Sequence, residues 1–295
     1  MPAQDITQIS YRYAKERVDT LNSQEVEGLI RESFPYSAKG VKTELRTTDQ
    51  PYKKIPRFDE FWLLMEGRPD GLIAVFRPFM GGIEAEYTSA PPPTHGRRNY
   101  AAYIVSMTAG VEIVPITAVR DFREIANYRE CAKGSDLWRL SKAGQGTLSA
   151  MINGTQIYGF DPNNFEVCLR TDVAYRSSSF VAALVFDILI GSGQRDFSSY
   201  LVDKESFVRS RYHHEAWTHT AQDRLEKILQ EQPPEIQKAF WNALMSLREM
   251  PLKRNRLKDL LVGYVGLEKT TNFFKDLGKL LQTGSIAHVK LDPYQ

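Results

Sequence analysis

The apolar positions of the chain first become regular at Phe61, where FWLLME and GLIAVFRP form two short apolar runs joined by GRPDG. Gly, Pro and Asp in that link suit a tight turn, so an antiparallel hairpin is predicted over 61–66 and 71–78. After the flexible PPPTHGRR, the segment NYAAYIVSMTAG places Ala101, Ala102, Ile104, Val105 and Ala109 for a buried helix over 99–110, closed by Gly110. EIVPITAVRDF then reads as a strand, and Pro115, which lacks an N–H, favours an edge position or a strand start. In the second half the period changes. SSFVAALVFDILIG is apolar on nearly every face and predicts a core helix, ended by a Gly-Ser-Gly turn. YLVD and SFVRSRYH, split by the polar KES, predict a short hairpin. Ile236, Phe240, Ala243, Leu244 and Leu247, and then Phe273, Phe274, Leu277 and Leu281, recur at helical spacing and predict two core-facing stripes.

The first 50 residues read as helical and then irregular. Asn22, with Glu25 three positions on and Val26, Leu29 and Ile30 behind it, has the form of a capping box. The stretch FPYSAKGVKTELRTTDQPYKKIPRF mixes Pro, Gly, Ser and Thr with Lys39, Lys42, Lys53 and Lys54, and is expected to be a solvated connection, with a loop over a pocket as the alternative. The resulting expectation is an α+β chain: a helical extension over 1–50, a small antiparallel-sheet lobe over 51–130 and a larger, mainly helical lobe over 131–295.

Composition narrows the function. A length of 295 residues with 42% hydrophobic content suits one two-lobed domain or two small ones. The 38 basic and 36 acidic residues leave a net charge of +2, too small to draw the whole molecule onto nucleic acid or an anionic membrane, so any such binding needs a local patch. The run of Lys253, Arg254, Arg256 and Lys258 could contact phosphate or an acidic protein, and otherwise reads as a solvated helix end. Two distant cysteines, Cys131 and Cys168, form no disulfide framework, and MPAQDITQISYRYAKER has no apolar core of signal-peptide length. No run of 18 apolar residues is present, and a cytoplasmic protein is expected.

AVFRP at 74–78, RRNYAAYIVSMTAGVEIVPITAVRD at 97–121 and FDILIGSGQRDFSSYLVD at 186–203 resemble, in order and spacing, the motifs of bacterial phosphatidylinositol 3-/4-kinase-like and HipA-type kinases. The resemblance spans roughly residues 60 to 285 and implies a two-lobed protein-kinase-like fold. It also implies which positions would carry phosphoryl transfer, and those positions depart from the pattern. Arg77 stands at the phosphate-binding lysine, keeping the charge but on a longer planar fork. Asn99 stands, within a residue, at the glutamate that would orient that lysine, and an amide forms no ion pair. Gln194 replaces the catalytic aspartate and is no base near neutral pH; Asp196 lies two positions late. Ser199 replaces the magnesium-binding asparagine, and the second metal aspartate maps to His213 or Tyr212, although magnesium prefers carboxylate oxygen to imidazole.

Five such losses at separate points predict a catalytically inactive, pseudokinase-like protein, bacterial or viral, that acts as a binding, regulatory or scaffolding module with another protein as its partner. No cofactor is expected; ATP binding is compatible with this reading, but not with magnesium in place. The alternatives are an unorthodox ATP-dependent transferase using Asp187, Asp196, Asp203 or Glu215 in the same cleft, and an assembly protein in which the cleft is filled. His213, His214, Glu215 and His219 could in principle gather zinc, but HExxxH sets the two imidazoles off one helical face, and an exposed polar hairpin end is the expectation.

Overall fold

The computed structural model describes residues 34–43, 58–66, 72–79, 95–123, 136–150, 155–156, 178–192, 199–202, 207–210, 216–217 and 238–283. The chain divides into two compact units: one takes residues through Tyr100 together with Ile116–Asn153, the other Ala101–Pro115 together with Gly154 onward.

The first unit is built on a five-stranded antiparallel sheet in the order β1-β2-β3-β5-β4. Its strands are β1 (Phe34–Thr43), β2 (Phe58–Glu66), β3 (Leu72–Pro78), β4 (Thr117–Asp121) and β5 (Gln145–Ala150). The hairpin predicted over 61–66 and 71–78 is present as β2 paired with β3, Leu63 opposite Ala74 and Phe61 opposite Phe76. β4 occupies an edge two residues beyond Pro115, as a strand preceded by proline should. Phe76 and Phe122 meet edge to face at 4.8 Å, and both are fully buried beside Leu63 and Leu148.

One expectation is overturned. Residues 34–43, expected to be a connection, form the other edge strand, with an irregularity between Pro35 and Ser37. Proline, lysine and a bulge are how edge strands avoid pairing with other chains, and the same residues imitate a loop in a sequence. The capping box at Asn22 lies outside the described residues.

Helix α1 (His95–Ala109) runs from the first unit into the second. It ends as predicted: Gly110, at φ +76°, donates to Met107, and Val111 donates to Ser106. The short helix α2 (Asp136–Ala143) precedes β5.

The second unit holds a three-stranded sheet of β6 (Thr155–Gln156), β7 (Tyr200–Val202) and β8 (Val208–Ser210), with β7 and β8 forming the predicted hairpin. Helix α3 (Ser178–Leu189) is its centre, buried at every position from Phe180 through Ile190. Three further helices, α4 (Lys238–Glu249), α5 (Pro251–Val265) and α6 (Leu267–Thr283), pack on one another, and α6 also meets α3. α4 buries Phe240, Leu244 and Leu247 from the predicted stripe, and α6 buries Phe273 and Leu277. The basic run lies in the N-terminal half of α5, where Arg254, Arg256 and Lys258 are exposed, while Leu257, Leu261 and Val265 are buried.

α6 carries one polar liability. Asp276 is buried to 6% exposure beside Leu277, and burial raises its pKa above the usual 3.8 although Lys279 and Lys275 partly oppose this. A raised folded-state pKa means that stability present at acid pH is lost as pH rises from the ordinary aspartate value through the raised one. Asp276→Asn is therefore expected to melt higher than wild type at pH 7, with the difference closing as the pH falls toward the ordinary aspartate range. Melting temperatures of both proteins across that range check it, and a gap that widens on acidification would contradict it.

Candidate functional site

In the first unit the chemistry gathers where β3 ends. Paired residues on adjacent antiparallel strands share a face, as do alternate residues along one strand. Arg77 lies opposite Thr147, and Ser149 lies between Val75 and Thr117, so Arg77, Thr147, Ser149 and Thr117 share one face of the sheet. All four are buried. The amide of Asn99, buried in α1, donates to Ser149 Oγ at 2.9 Å, and Ser149 Oγ in turn lies 2.9 Å from Thr117 Oγ1. The helix reaches this depth because its first turn has no side chain in the way: a Cβ on Gly96 would stand 2.7 Å from the Arg77 carbonyl oxygen. A Cβ on Gly146 would stand 2.3 Å from the same oxygen. Two glycines thus press the chain around Arg77 from the helix and from β5.

The second unit presents the other candidate segments from the end of α3. Gly191, at φ +60°, closes the helix: its amide donates to Ile188, and the Ser192 amide donates to Asp187. The Gly-Ser-Gly turn predicted there is thus a Schellman closure. Asp187, fully buried, accepts Tyr200 OH at 2.6 Å and Ser210 Oγ at 3.0 Å on the same Oδ2. The Trp217 amide donates to Ile190 O at 2.8 Å, and its carbonyl accepts Lys269 Nζ. Trp217 holds a left-handed φ of +67° while fully buried, its ring tilted against Phe273 at 5.7 Å. Backbone strain in a bulky residue persists only where the surroundings fix it. Tyr200 and Ser210 are thus tied to the last turn of α3, and Trp217 to the residue that follows it.

The sequence-derived site residues divide accordingly. Arg77 and Asn99 both lie against β5 in the first unit, Arg77 opposite Thr147 and Asn99 bonded to Ser149 two residues on. Ser199 lies just before β7 in the second unit, near full burial. Gln194, His213 and Tyr212 lie outside the described residues, as do Asp196, Asp203, Glu215 and the other histidines of the cluster. Of the proposed substitute carboxylates, only Asp187 is described, and its oxygen is engaged by two hydroxyls inside the core. Sequence reasoning missed Ser149, Thr117 and the structural role of Asp187. For Asp187 a signal existed: a single carboxylate in an otherwise apolar core helix requires internal partners.

Among the described residues no group of three or more His, Cys, Asp or Glu side chains could hold a metal ion. The donors beside Arg77 are hydroxyls and one amide already in a hydrogen-bonded row, and they do not make a magnesium site, which calls for carboxylate oxygens. No described helix is long and apolar enough to cross a membrane.

Neither a family model nor a curated protein matches the sequence. Solved structures do. The crystal structure of the Golgi casein kinase superposes with a TM-score of 0.52 at 12% identity, over 98% of this chain and 82% of that one. Hydra Fam20, solved with sugar, gives 0.51 at 13% identity, over 95% of each chain. The Golgi casein kinase with Mn/ADP bound gives 0.51 at 12% identity, over 92% of this chain and 76% of that one. The chain therefore has a kinase-like α+β fold with a small antiparallel sheet, as the three ordered phrases implied.

Proposed function

We propose that the chain is a kinase-fold binding module without phosphoryl-transfer activity. The observation that carries this reading is the use made of Asn99: at the helix position where the resemblance places an orienting glutamate, an amide is committed to Ser149 Oγ, in a buried row with Thr117. Phosphoryl transfer depends on placed cations, metal-binding oxygens and a group that positions the nucleophile. Arg77, Asn99, Gln194, Ser199 and His213 together supply none of the last two in the usual form. The α3 anchor, by contrast, is complete, which fits a scaffold kept for binding. The partner in this reading is another protein, and the ordered phrases resemble those of phosphatidylinositol 3-/4-kinase-like and HipA-type kinases.

A second reading, an unorthodox transferase, is favoured by the names of the structural neighbours, which are kinases, one of them holding Mn/ADP. Nucleotide binding and turnover separate the two. The wild-type chain is expected to show no ATP turnover or autophosphorylation above background with magnesium or with manganese. Gln194→Asp alone is expected to stay inactive, because catalytic groups that act as a unit are strongly non-additive. Turnover by the wild type that Arg77→Ala abolishes would replace the binding-module reading with the transferase. A thermal shift with nucleotide reports occupancy separately, since a ligand at a hundred times its dissociation constant stabilises by about 2.7 kcal/mol.

A further inference from the structure

α4 and α5 meet at an elbow in which Met250 alone separates Glu249 from Pro251. Two large apolar side chains stand out from this tip: Leu252 is 87% exposed and Met250 49%. Arg248, Lys253, Arg254, Arg256 and Lys258 lie within six residues of Leu252 along the chain, and among the described residues none of these five is in an ion pair. The first turn of α5 contains no acid and Met250 provides no side-chain cap, so Lys253 and Arg254 stand at the positive end of the helix dipole, and across 248–259 five cations face only two acids, Glu249 and Asp259. That arrangement disfavours the helix taken alone and calls for an anionic surface facing it.

We infer that this elbow docks the protein on an anionic phospholipid bilayer, Leu252 and Met250 entering the headgroup boundary while the five cations meet lipid phosphates. Charge complementarity selects an anionic partner, and the exposed apolar pair selects among such partners. A nucleic acid backbone offers nothing for Leu252 and Met250 to enter, and Arg248 to Leu260 contains no aromatic ring on which bases could stack. A peptide partner would seat its side chains in a groove, whereas here it is Leu252 and Met250 that stand exposed at a one-residue link between two helices. Apolar side chains flanked by Lys and Arg are what a membrane-surface helix presents. The net charge of +2 does not oppose this, because attraction within a Debye length depends on the local patch.

The test is sedimentation of the full-length protein with phosphatidylcholine vesicles, with and without phosphatidylserine, at low and raised salt. Binding is expected only to the phosphatidylserine vesicles and should fall with salt. Arg254→Ala with Arg256→Ala should weaken it about 25-fold, at about fivefold per cation. Arg254→Lys with Arg256→Lys should retain it. Leu252→Ser should weaken it roughly tenfold. All of these positions are exposed, so melting temperatures should stay unchanged and loss of binding would not reflect unfolding. Failure of the wild type to bind phosphatidylserine vesicles overturns the inference. So does binding that Leu252→Ser leaves intact, which would mark a plain polyanion contact with an acidic protein or nucleic acid. Neither result bears on phosphoryl transfer, which is tested separately.

Discussion

Gly146→Ala is expected to lower the melting temperature by about 6–12 °C, from a cost of about 3 kcal/mol at 2–4 °C per kcal/mol. The added Cβ would stand 2.3 Å from the Arg77 carbonyl oxygen and 2.6 Å from the Phe76 ring. The carbonyl belongs to the neighbouring strand and the ring is packed against Phe122 at 4.8 Å, so neither can move aside without opening the β3–β5 pairing. The cost falls on the strand that carries Arg77, so the disturbance reaches the candidate site as well as the core. Gly263→Ala is the control. It lies exposed in α5 with nothing within 4 Å of where the added methyl would stand, and alanine there should raise stability by up to about 1 kcal/mol through helix propensity. Thermal melts of both variants check the pair; Gly146→Ala melting with wild type would mean that the strands do not approach as described.

β5 also shows why part of this fold could not be read in advance. QGTLSA is short and carries a single large apolar side chain, Leu148: both faces are buried from Gly146 to Ala150, one of them carries Thr147 and Ser149, and its glycine is required by the closeness of Arg77. Small polar residues that pair with one another inside a sheet look like a loop in sequence. β1 misled for another reason, since its Pro35, Lys39 and Lys42 read as a connection although an edge strand tolerates such residues. Where apolar spacing and turn chemistry agree, as at β2–β3, at the end of α1 and at Gly191, the sequence and the structure coincide. Of the candidate site, Arg77 and Asn99 were legible as positions through the ordered motifs, but their hydrogen-bonding row was not, because Ser149 lies 50 residues from Asn99 and only strand register brings them together.

The same distinction between position and partner decides Asp187, whose replacement by alanine is expected to cost about 4 kcal/mol and about 8–16 °C in melting temperature. Its Oδ2 accepts both Tyr200 OH and Ser210 Oγ, and each buried hydroxyl that loses its acceptor costs about 1–3 kcal/mol. Since Tyr200 opens β7 and Ser210 ends β8, one carboxylate fastens α3 to both strands of the hairpin. Tyr200→Phe and Ser210→Ala should each cost less than Asp187→Ala. Combined with Asp187→Ala, either should add less than it does alone, because the bond it removes is already gone. A double-mutant cycle by chemical denaturation reads that coupling directly. Strict additivity would mean that the three side chains act independently, and Asp187 would then return as a candidate for chemistry instead of a fastening between α3 and the β7–β8 hairpin.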